Sequence, residues 1–263
     1  MVIRRGHFSK RRQCFTDLTD SQWEIIKLLI DNGRKRKYCL RSILNGILKI
    51  TRTGTQWRNL DEAYPPWGVV YYYFSKWQKD GTWSSVLAYL VEKERLRHNR
   101  NPQASRAAVD SQSVKKGSFI SIDTGIDGGK LINGRKRHLA VDSLGLPLAI
   151  HVGAASVHDT VGGIELLWQL DNASQKLELI CADQAYRGNF SECTEYYNWR
   201  VHIAQKPESQ QGFVPQSGRW QVERSFAWFN FFRRLAKDYE KTPASSIAFI
   251  QLVFINIILA RFG

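Results

Sequence analysis

The sequence has few cysteines, and none of them is placed for a zinc site. Cys14, Cys39, Cys181 and Cys193 form no CxxC pair and lack the spacing of zinc ligands. Cys181 lies inside an apolar run, where we expect a buried free thiol. This cysteine usage is typical of a protein of the reducing cytosol.

Long apolar segments are also scarce. The stretch MVIRRGHFSKRRQCF is basic and lacks the apolar part of a signal peptide, so we predict a flexible arm, residues 1–16, that contacts phosphates. The one long apolar run, IAFIQLVFINIILA at 247–260, has 14 residues and includes Gln251 and Asn256. It is short for a membrane span, and we predict a buried core helix.

Acidic residues are outnumbered by basic ones. The 263 residues include 38 Lys and Arg against 24 Asp and Glu, a formal charge of +14. Residues 1–100 hold 20 basic and 9 acidic residues, a net +11, whereas residues 101–263 carry only +3. An excess of this size indicates a polyanionic partner, and nucleic acid is the usual one. The first hundred residues are therefore the main predicted binding surface.

Residues 17–100 show the apolar spacing of short helices. LTDSQWEIIKLLID begins with a capping box from Thr19 to Gln22, and LRSILNGILKITRTG ends at Gly54, a suitable helix stop. Two further helices follow, one after the paired prolines of AYPPWGVVYYYFSKWQKDG and one in TWSSVLAYLVEKERLRHN. Short helices with basic loops suit a helix-turn-helix-like DNA-binding domain. The alternative is a basic helical scaffold whose charged side chains are only solvated.

From residue 101 to residue 263 the pattern changes to alternating strands and helices. RAAVDS predicts a strand, KRHLAVDSLGLPLAIHVGA a hairpin and TVGGIELLWQLDNAS a helix. LELICADQ, FSECTEYYNW and RVHIAQK continue as strand, helix and strand, and RWQVERSFAWFNFFRRLAKDYE predicts one long helix before the last. This order predicts a second domain, an α/β layer with a mixed sheet.

Two of the predicted strands end on an aspartate, Asp110 and Asp183. The second strand returns through a helical crossover and can lie parallel to the first, so both carboxylates should meet at one sheet edge. Close carboxylates repel each other unless a cation lies between them, and Mg²⁺ prefers such oxygen ligands. Glu223, on an otherwise aromatic helix face, is the third acid expected at this site. Taken alone, Glu223 would equally suit an ion pair with an arginine.

Other polar residues near strand ends are weaker candidates. Asp142 ends a strand of opposite direction, so it is expected at the far edge, in the hairpin turn. Asp123 and Asp127 fall in the Gly-rich loop SIDTGIDGGK and are expected to be solvated. His138 and residues 158–159 could lie near the site, or could only form hydrogen bonds at strand ends.

Six motifs recur along the chain in a recognisable order: DLTDSQWEII, TGTQWRNLDEAYPPWGVVYYYFSKWQKDGTW, AVDSQSVK, GRKRHLAVDSLGLPLAIHV, ADQAYRG and WQVERSFAWFNFFRRLAKDYE. With these motifs, which extend over nearly its whole length, the chain resembles bacterial insertion-sequence DDE transposases of the insertion-sequence-five family. This resemblance implies an RNase H-like catalytic domain over 101–263, preceded by the helical DNA-binding domain. It also implies that Asp110, Asp183 and Glu223 are the catalytic triad and the metal ligands.

The same resemblance implies an activity. Such an enzyme binds the terminal inverted repeats of an insertion sequence, cuts at the element ends and joins the resulting 3′-OH to target DNA. It would use Mg²⁺ or Mn²⁺, with two ions on the three acids in the DNA-bound complex. Its partner would be double-stranded DNA in the bacterial cytoplasm, bound as a homodimer or larger assembly, and no membrane partner is expected.

Wider relatives carry a Tyr, Arg, Glu, Lys signature around the glutamate. Arg219, four residues before Glu223, occupies the Arg position, while Gln216 and Asn230 stand where the Tyr and the Lys would be. Nearby arginines are expected to substitute for the DNA contacts of those two side chains. The full set of predicted DNA-binding residues is basic: Arg4, Arg5, Lys10, Arg11, Arg12, Arg34, Lys35, Arg36, Lys37, Arg41, Arg52, Lys115, Lys116, Arg135, Lys136, Arg187, Arg219, Arg224, Arg233 and Arg234.

Two other functions fit the same sequence. An RNase H-like nuclease would cut DNA without joining it. A non-catalytic DNA-binding regulator would use the three acids only structurally. A strand-transfer assay separates the nuclease from a transposase, and metal dependence separates the regulator from both.

Overall fold

The structure, a computed structural model, describes residues 14–204 and 219–262. Some residues singled out above lie outside the described part of the chain, namely Arg4, Arg5, Lys10, Arg11, Arg12 and Gln216.

The N-terminal region is helical, as predicted. Its helices are α1 (Asp20–Ile30), α2 (Leu40–Thr53), α3 (Trp67–Lys79) and α4 (Thr82–Arg97). The predicted capping box is present, because the Gln22 N–H donates to Thr19 Oγ1 (3.2 Å) and the Thr19 N–H donates to Gln22 Oε1 (3.0 Å). Gly54 ends α2 with φ at 72°, a left-handed conformation that glycine adopts readily. The helix-turn-helix assignment itself stays a prediction.

A mixed sheet of six strands follows the N-terminal helices in the described part of the chain. Its strands are β1 (Arg106–Lys115), β2 (Gly125–Asp127), β3 (Ile132–Val141), β4 (Pro147–Ala154), β5 (Leu179–Ala182) and β6 (Arg200–Ile203). Strands β3 and β4 form the predicted hairpin, and β3 pairs antiparallel with β1. Strand β5 pairs parallel with β1 on one side and with β6 on the other. The crossover geometry expected for the two aspartates is therefore present.

Helices cover both faces of the sheet. They are α5 (Asp159–Ala173), α6 (Asn189–Glu195), α7 (Trp220–Phe229) and α8 (Pro243–Leu259). One apolar cluster lies between the sheet, α5 and α6, and includes Ala107, Val109, Leu166 and Phe190. The opposite face of the sheet packs against α7 and α8.

Helix α8 joins the two predicted domains. It contacts α4, α2 and α3 as well as β4, and the Phe249 ring lies 4.7 Å from the Phe74 ring of α3. The N-terminal helices and the face of the sheet that packs against α7 and α8 thus share one apolar core. The apolar run at 247–260 is a core helix, as predicted. Within the described ranges, no helix is long and apolar enough to cross a membrane.

Three details of the secondary structure differ from the sequence prediction. Strand β1 continues five residues past Asp110, because its second half pairs with β3 out to Lys115. The short strand β2 was not predicted, and it pairs with the first residues of β3. The predicted long helix after Arg219 ends at Phe229, since the chain becomes extended at Phe232 to bury that ring.

Candidate active site

The first two acids are brought together by the register of β1 and β5. Ala108 of β1 lies opposite Cys181 of β5, and the aspartates follow each of these residues by two positions. Asp110 and Asp183 are therefore level with each other at the carboxyl end of β5. Asp110 Oδ1 accepts a 2.7 Å hydrogen bond from the Ser111 N–H. Asp183 caps the turn after β5, where its Oδ1 accepts a 2.9 Å bond from the Ala185 N–H.

The third acid comes from the first turn of α7. Glu223 and Arg219 are one helical turn apart, so their side chains lie on the same side of the helix start. One nitrogen of the Arg219 guanidinium, Nη2, reaches all three carboxylates. It lies 3.3 Å from Asp110 Oδ2, 3.9 Å from Asp183 Oδ2 and 3.7 Å from Glu223 Oε1. The three acids predicted from the sequence thus converge on a single cation.

Burial sets the electrostatics of this cluster. It raises the pKa of Asp110 to about 6, against the opposing effect of the Arg219 charge. The neighbouring charges of Asp183 and Glu223 raise that pKa further. Ionisation of Asp110 therefore costs free energy at this position, and a further cation close to the three acids would stabilise the ionised carboxylate.

The donor set suits a hard divalent cation. Carboxylate oxygens are the ligands that Mg²⁺ and Mn²⁺ prefer, and Asp110, Asp183 and Glu223 supply them from inside β1, the end of β5 and the start of α7. Within residues 14–204 and 219–262, however, no group of three or more His, Cys, Asp or Glu side chains is arranged for a metal ion. The carboxylates face the guanidinium of Arg219 instead. The residue types therefore fit a divalent metal ion, but in this structure the three carboxylates surround the guanidinium of one arginine.

A second polar network lies on the other side of β1, toward α5. Ser111 donates to Asp159 Oδ1 (2.7 Å), and Lys136 Nζ lies 3.1 Å from the same oxygen. Ser113 donates to Asp127 Oδ2, and Lys136 lies 4.0 Å from that oxygen. Asp127 is therefore buried, and its predicted solvation is wrong because Ser113 and Lys136 satisfy its charge. Asp159 lies directly behind the strand that carries Asp110.

Two glycines of α5 allow a close approach of the helix to the sheet. A Cβ atom at position 162 would lie 2.2 Å from His138 Nε2, and one at position 163 would lie 2.5 Å from the Tyr186 ring. Tyr186 is buried and its hydroxyl lies 3.4 Å from His138 Nδ1. Burial and the neighbouring Asp110, Asp159 and Asp183 charges raise the pKa of Tyr186. Sequence analysis did not single out this tyrosine, although it lies in the same ADQAYRG motif as Asp183.

Asp142 lies in the hairpin turn, as predicted, and has a structural role. Its side chain is 0% exposed and forms an ion pair with Arg95. Its Oδ1 accepts hydrogen bonds from the N–H groups of Leu144 and Leu146, each 2.8 Å long. Asp142 therefore fixes the β3–β4 turn and contributes nothing to the acid cluster. Asp123, by contrast, is exposed as predicted.

Comparison with known proteins identifies the family. A family model described as "Transposase DDE domain" matches residues 101–259, more than half of the chain. The chain belongs to the DDE transposase family. A second model, described as "Putative transposase of IS4/5 family", matches residues 18–87. These matches confirm the predicted family, and they imply that the mixed sheet with its flanking helices is an RNase H-like fold.

One curated relative of this transposase is the "Putative transposase for insertion sequence element IS402" of Burkholderia cepacia. The two chains are 26% identical over 126 residues, which cover 45% of this chain and 60% of the relative. The match therefore spans less than two thirds of the length of that relative.

Three basic residues predicted to contact DNA are buried in the transposase. Arg135 donates to the carbonyl oxygens of Ile122 (2.7 Å) and Glu240 (2.8 Å) and is fully buried. Lys136 is held by the network around Asp159 described above. Arg234 forms a 2.6 Å ion pair with Glu240. These three cations lie against acids and carbonyl oxygens of the fold, and their DNA contacts stay a prediction. A basic run in a sequence does not reveal such partners.

The other predicted DNA contacts within the described ranges are at least partly accessible. Four of them have local partners: Arg36 pairs with Asp31, Arg41 with Asp20, Arg52 lies over the Phe232 ring, and Arg224 lies between the rings of Trp220 and Trp228. Lys116 donates to the carbonyl of Ile120. The exposed ones are Arg34, Lys35, Lys37, Lys115, Arg187 and Arg233, and Lys37 lies over the Tyr38 ring.

Proposed function

We propose that this transposase binds the terminal inverted repeats of an insertion sequence, cuts DNA at the element ends and joins the 3′-OH to target DNA. The observation that carries the proposal is the convergence of Asp110, Asp183 and Glu223 on the Arg219 guanidinium. Three carboxylates from separate elements, gathered at one sheet edge in a DDE domain, are the ligand set that phosphoryl transfer requires.

Each acid is held by the backbone that carries it. Asp110 lies inside a ten-residue strand with paired neighbours on both sides. Asp183 is fixed by the turn that it caps, and Glu223 by the first turn of α7. Rigid supporting elements favour precise positioning of catalytic groups. Mg²⁺ or Mn²⁺ bound by these carboxylates would supply Lewis acidity and lower the pKa of the attacking hydroxyl.

DNA would reach this site over exposed basic residues. Arg187 follows the turn that Asp183 caps, and Lys115 ends the strand that carries Asp110. Arg34, Lys35 and Lys37 occupy the loop between α1 and α2 and would contact the repeat from the helical region. Cutting and joining two element ends would need a paired complex on DNA in the bacterial cytoplasm, so we include a homodimer or larger assembly in the proposal.

Two rival functions use the same features. An RNase H-like nuclease would have the acid cluster without strand transfer. A non-catalytic regulator would have the basic surface and would use the acids only as partners of Arg219. The ion pairs of Arg219 are compatible with either rival, so the experiment has to measure chemistry.

The test incubates the protein with labelled DNA from the ends of its own element, in parallel with EDTA, Mg²⁺, Mn²⁺ or Ca²⁺. The proposal expects cutting and joining in Mg²⁺ and Mn²⁺, and binding with little chemistry in Ca²⁺, which takes more ligands at longer distances. Cutting without joining would move the assignment to the nuclease. DNA binding without cutting in any metal would favour the regulator.

A further inference from the structure

Arg219 occupies the centre of the acid cluster. The same nitrogen atom, Nη2, lies within 4 Å of an oxygen of Asp110, Asp183 and Glu223. The Arg219 side chain is 12% exposed, so the contact is shielded from solvent on most sides. This nitrogen therefore occupies the space between the three carboxylates.

We infer that Arg219 is a positioning residue that holds the three acids together in the free protein and releases them when metal ions bind. The inference rests on the proposed function, because it assigns the metal ions to the same three carboxylates. It adds that metal binding and DNA binding are linked through the movement of one side chain.

Competition between Arg219 and a metal ion follows from the distances. Mg²⁺ binds carboxylate oxygens at about 2.0–2.1 Å, so an ion shared by these acids would need the region that the guanidinium now fills. The oxygens cannot serve both cations in that geometry. Binding of the metal therefore includes the free-energy cost of removing Arg219 from these three carboxylates.

A DNA phosphate is a suitable second partner for the released guanidinium. The planar fork of arginine matches phosphate oxygens as well as carboxylate oxygens, and a phosphate must approach these acids for transfer to occur. DNA would then stabilise the released position and raise the metal affinity. By thermodynamic linkage, the metal would raise the DNA affinity by the same factor.

Two nearby cations of the described ranges, Lys136 and Arg224, are held by other partners. Lys136 lies on the opposite face of the sheet, bonded to the Val157 carbonyl (2.8 Å) and to Asp159. Arg224 is on the same helix as Glu223, but it donates to the Leu144 carbonyl (2.9 Å) and stacks on Trp220 and Trp228. The control is Arg58→Gln, which removes one exposed positive charge over the Trp67 ring, outside both the acid cluster and the predicted DNA contacts.

The experiment measures Mn²⁺ binding to the DNA-free protein by titration calorimetry. We expect Arg219→Gln to bind Mn²⁺ about tenfold more tightly than wild type, within the ordinary range of couplings between sites. Arg58→Gln should bind Mn²⁺ like wild type. Adding duplex DNA should tighten Mn²⁺ binding by the wild type, and by a smaller factor in Arg219→Gln. If Arg219→Gln binds Mn²⁺ no more tightly than wild type, the inference is overturned. Arg219 would then support the positions of the acids without competing with metal ions for them.

A second measurement uses wild-type protein, so it does not depend on the folding of a variant. In side-chain ¹⁵N NMR, titration with Mg²⁺ and DNA should shift the Arg219 Nε–H signal and leave in place that of Arg95, whose Nε–H donates to the Asn101 carbonyl (2.7 Å). Metal binding with an unmoved Arg219 signal would overturn the inference and leave the proposed function intact. Wild-type protein that binds no metal even with DNA would instead contradict the proposed function.

Discussion

Replacement of Asp142 by alanine should strongly destabilise the fold, although the sequence position of Asp142 at the end of a strand resembles that of a catalytic acid. The carboxylate is fully buried and pairs with Arg95, whose side chain is only 6% exposed. It also accepts the N–H groups of Leu144 and Leu146. Asp142→Ala removes the acceptor of both amides and leaves the Arg95 charge buried without its carboxylate.

The expected loss can be built from these contacts. Breaking a buried ion pair on one side costs about 3–5 kcal/mol, and each buried amide left without an acceptor costs about 1–3 kcal/mol. Because the turn can relax, we expect a total at the lower end of this sum, about 5–6 kcal/mol. That is a large part of the 5–15 kcal/mol by which domains are typically stable. Asp142→Asn keeps an acceptor for the turn and should lose only about 3 kcal/mol.

Urea unfolding followed by circular dichroism gives the assay, with Arg95→Met and the double variant Arg95→Met/Asp142→Asn alongside. The double variant contains no lone buried charge, so its loss should be at least about 2 kcal/mol smaller than the sum of the single losses. A wild-type midpoint for Asp142→Ala, or strict additivity in the double variant, would refute this reasoning. Loss of activity in Asp142→Ala would in any case report unfolding rather than missing chemistry.

Three further predictions concern the packing around the site. Gly162→Ala should destabilise the protein by about 1–3 kcal/mol, because its Cβ would meet the His138 ring, whereas Gly128→Ala, with no atom within 4 Å, should change the urea midpoint little. Burial lowers the pKa of His138 to about 3. Its contribution to stability is therefore complete above pH 6.5 and falls by about 1.4 kcal/mol per pH unit below it. The urea midpoint of wild type should thus fall relative to that of His138→Gln between pH 7.5 and pH 5.5. Phe249→Ala should cost about 3–5 kcal/mol, and a fragment of residues 14–100 without α8 should show no cooperative unfolding, because Phe249 packs on Phe74 from outside that fragment.

The acid cluster could be predicted because its signals are local. Asp110 and Asp183 each follow a short apolar run, and the helical crossover between the strands determines that they are parallel. Glu223 stands out as a charge within an aromatic helix. The sequence predicted that β1 ends at Asp110, whereas the strand continues to Lys115. The two aspartates are nevertheless level with each other, because the register between β1 and β5 aligns them.

The burial of the basic residues could not be predicted, because their partners are distant in the chain. Arg135 belongs to the basic run GRKR, which predicts a DNA-contacting surface. In the structure its guanidinium lies 3.3 Å from the carboxylate of Asp238, a residue that follows α7. The role of α8 was missed for the same reason. Its apolar sequence predicts burial but does not tell which helices will pack on it.

The most direct test of the central claim is a strand-transfer assay of Asp110→Asn, Asp183→Asn and Glu223→Gln in Mg²⁺. Glu195→Gln, which changes an exposed acid at the end of α6, is the control. Our account predicts that each of the three variants folds and binds the element ends, but cuts and joins DNA at least about 10³-fold more slowly than wild type, while Glu195→Gln remains active. Cutting at the wild-type rate by any one of the three variants would contradict the assignment of that acid to the site.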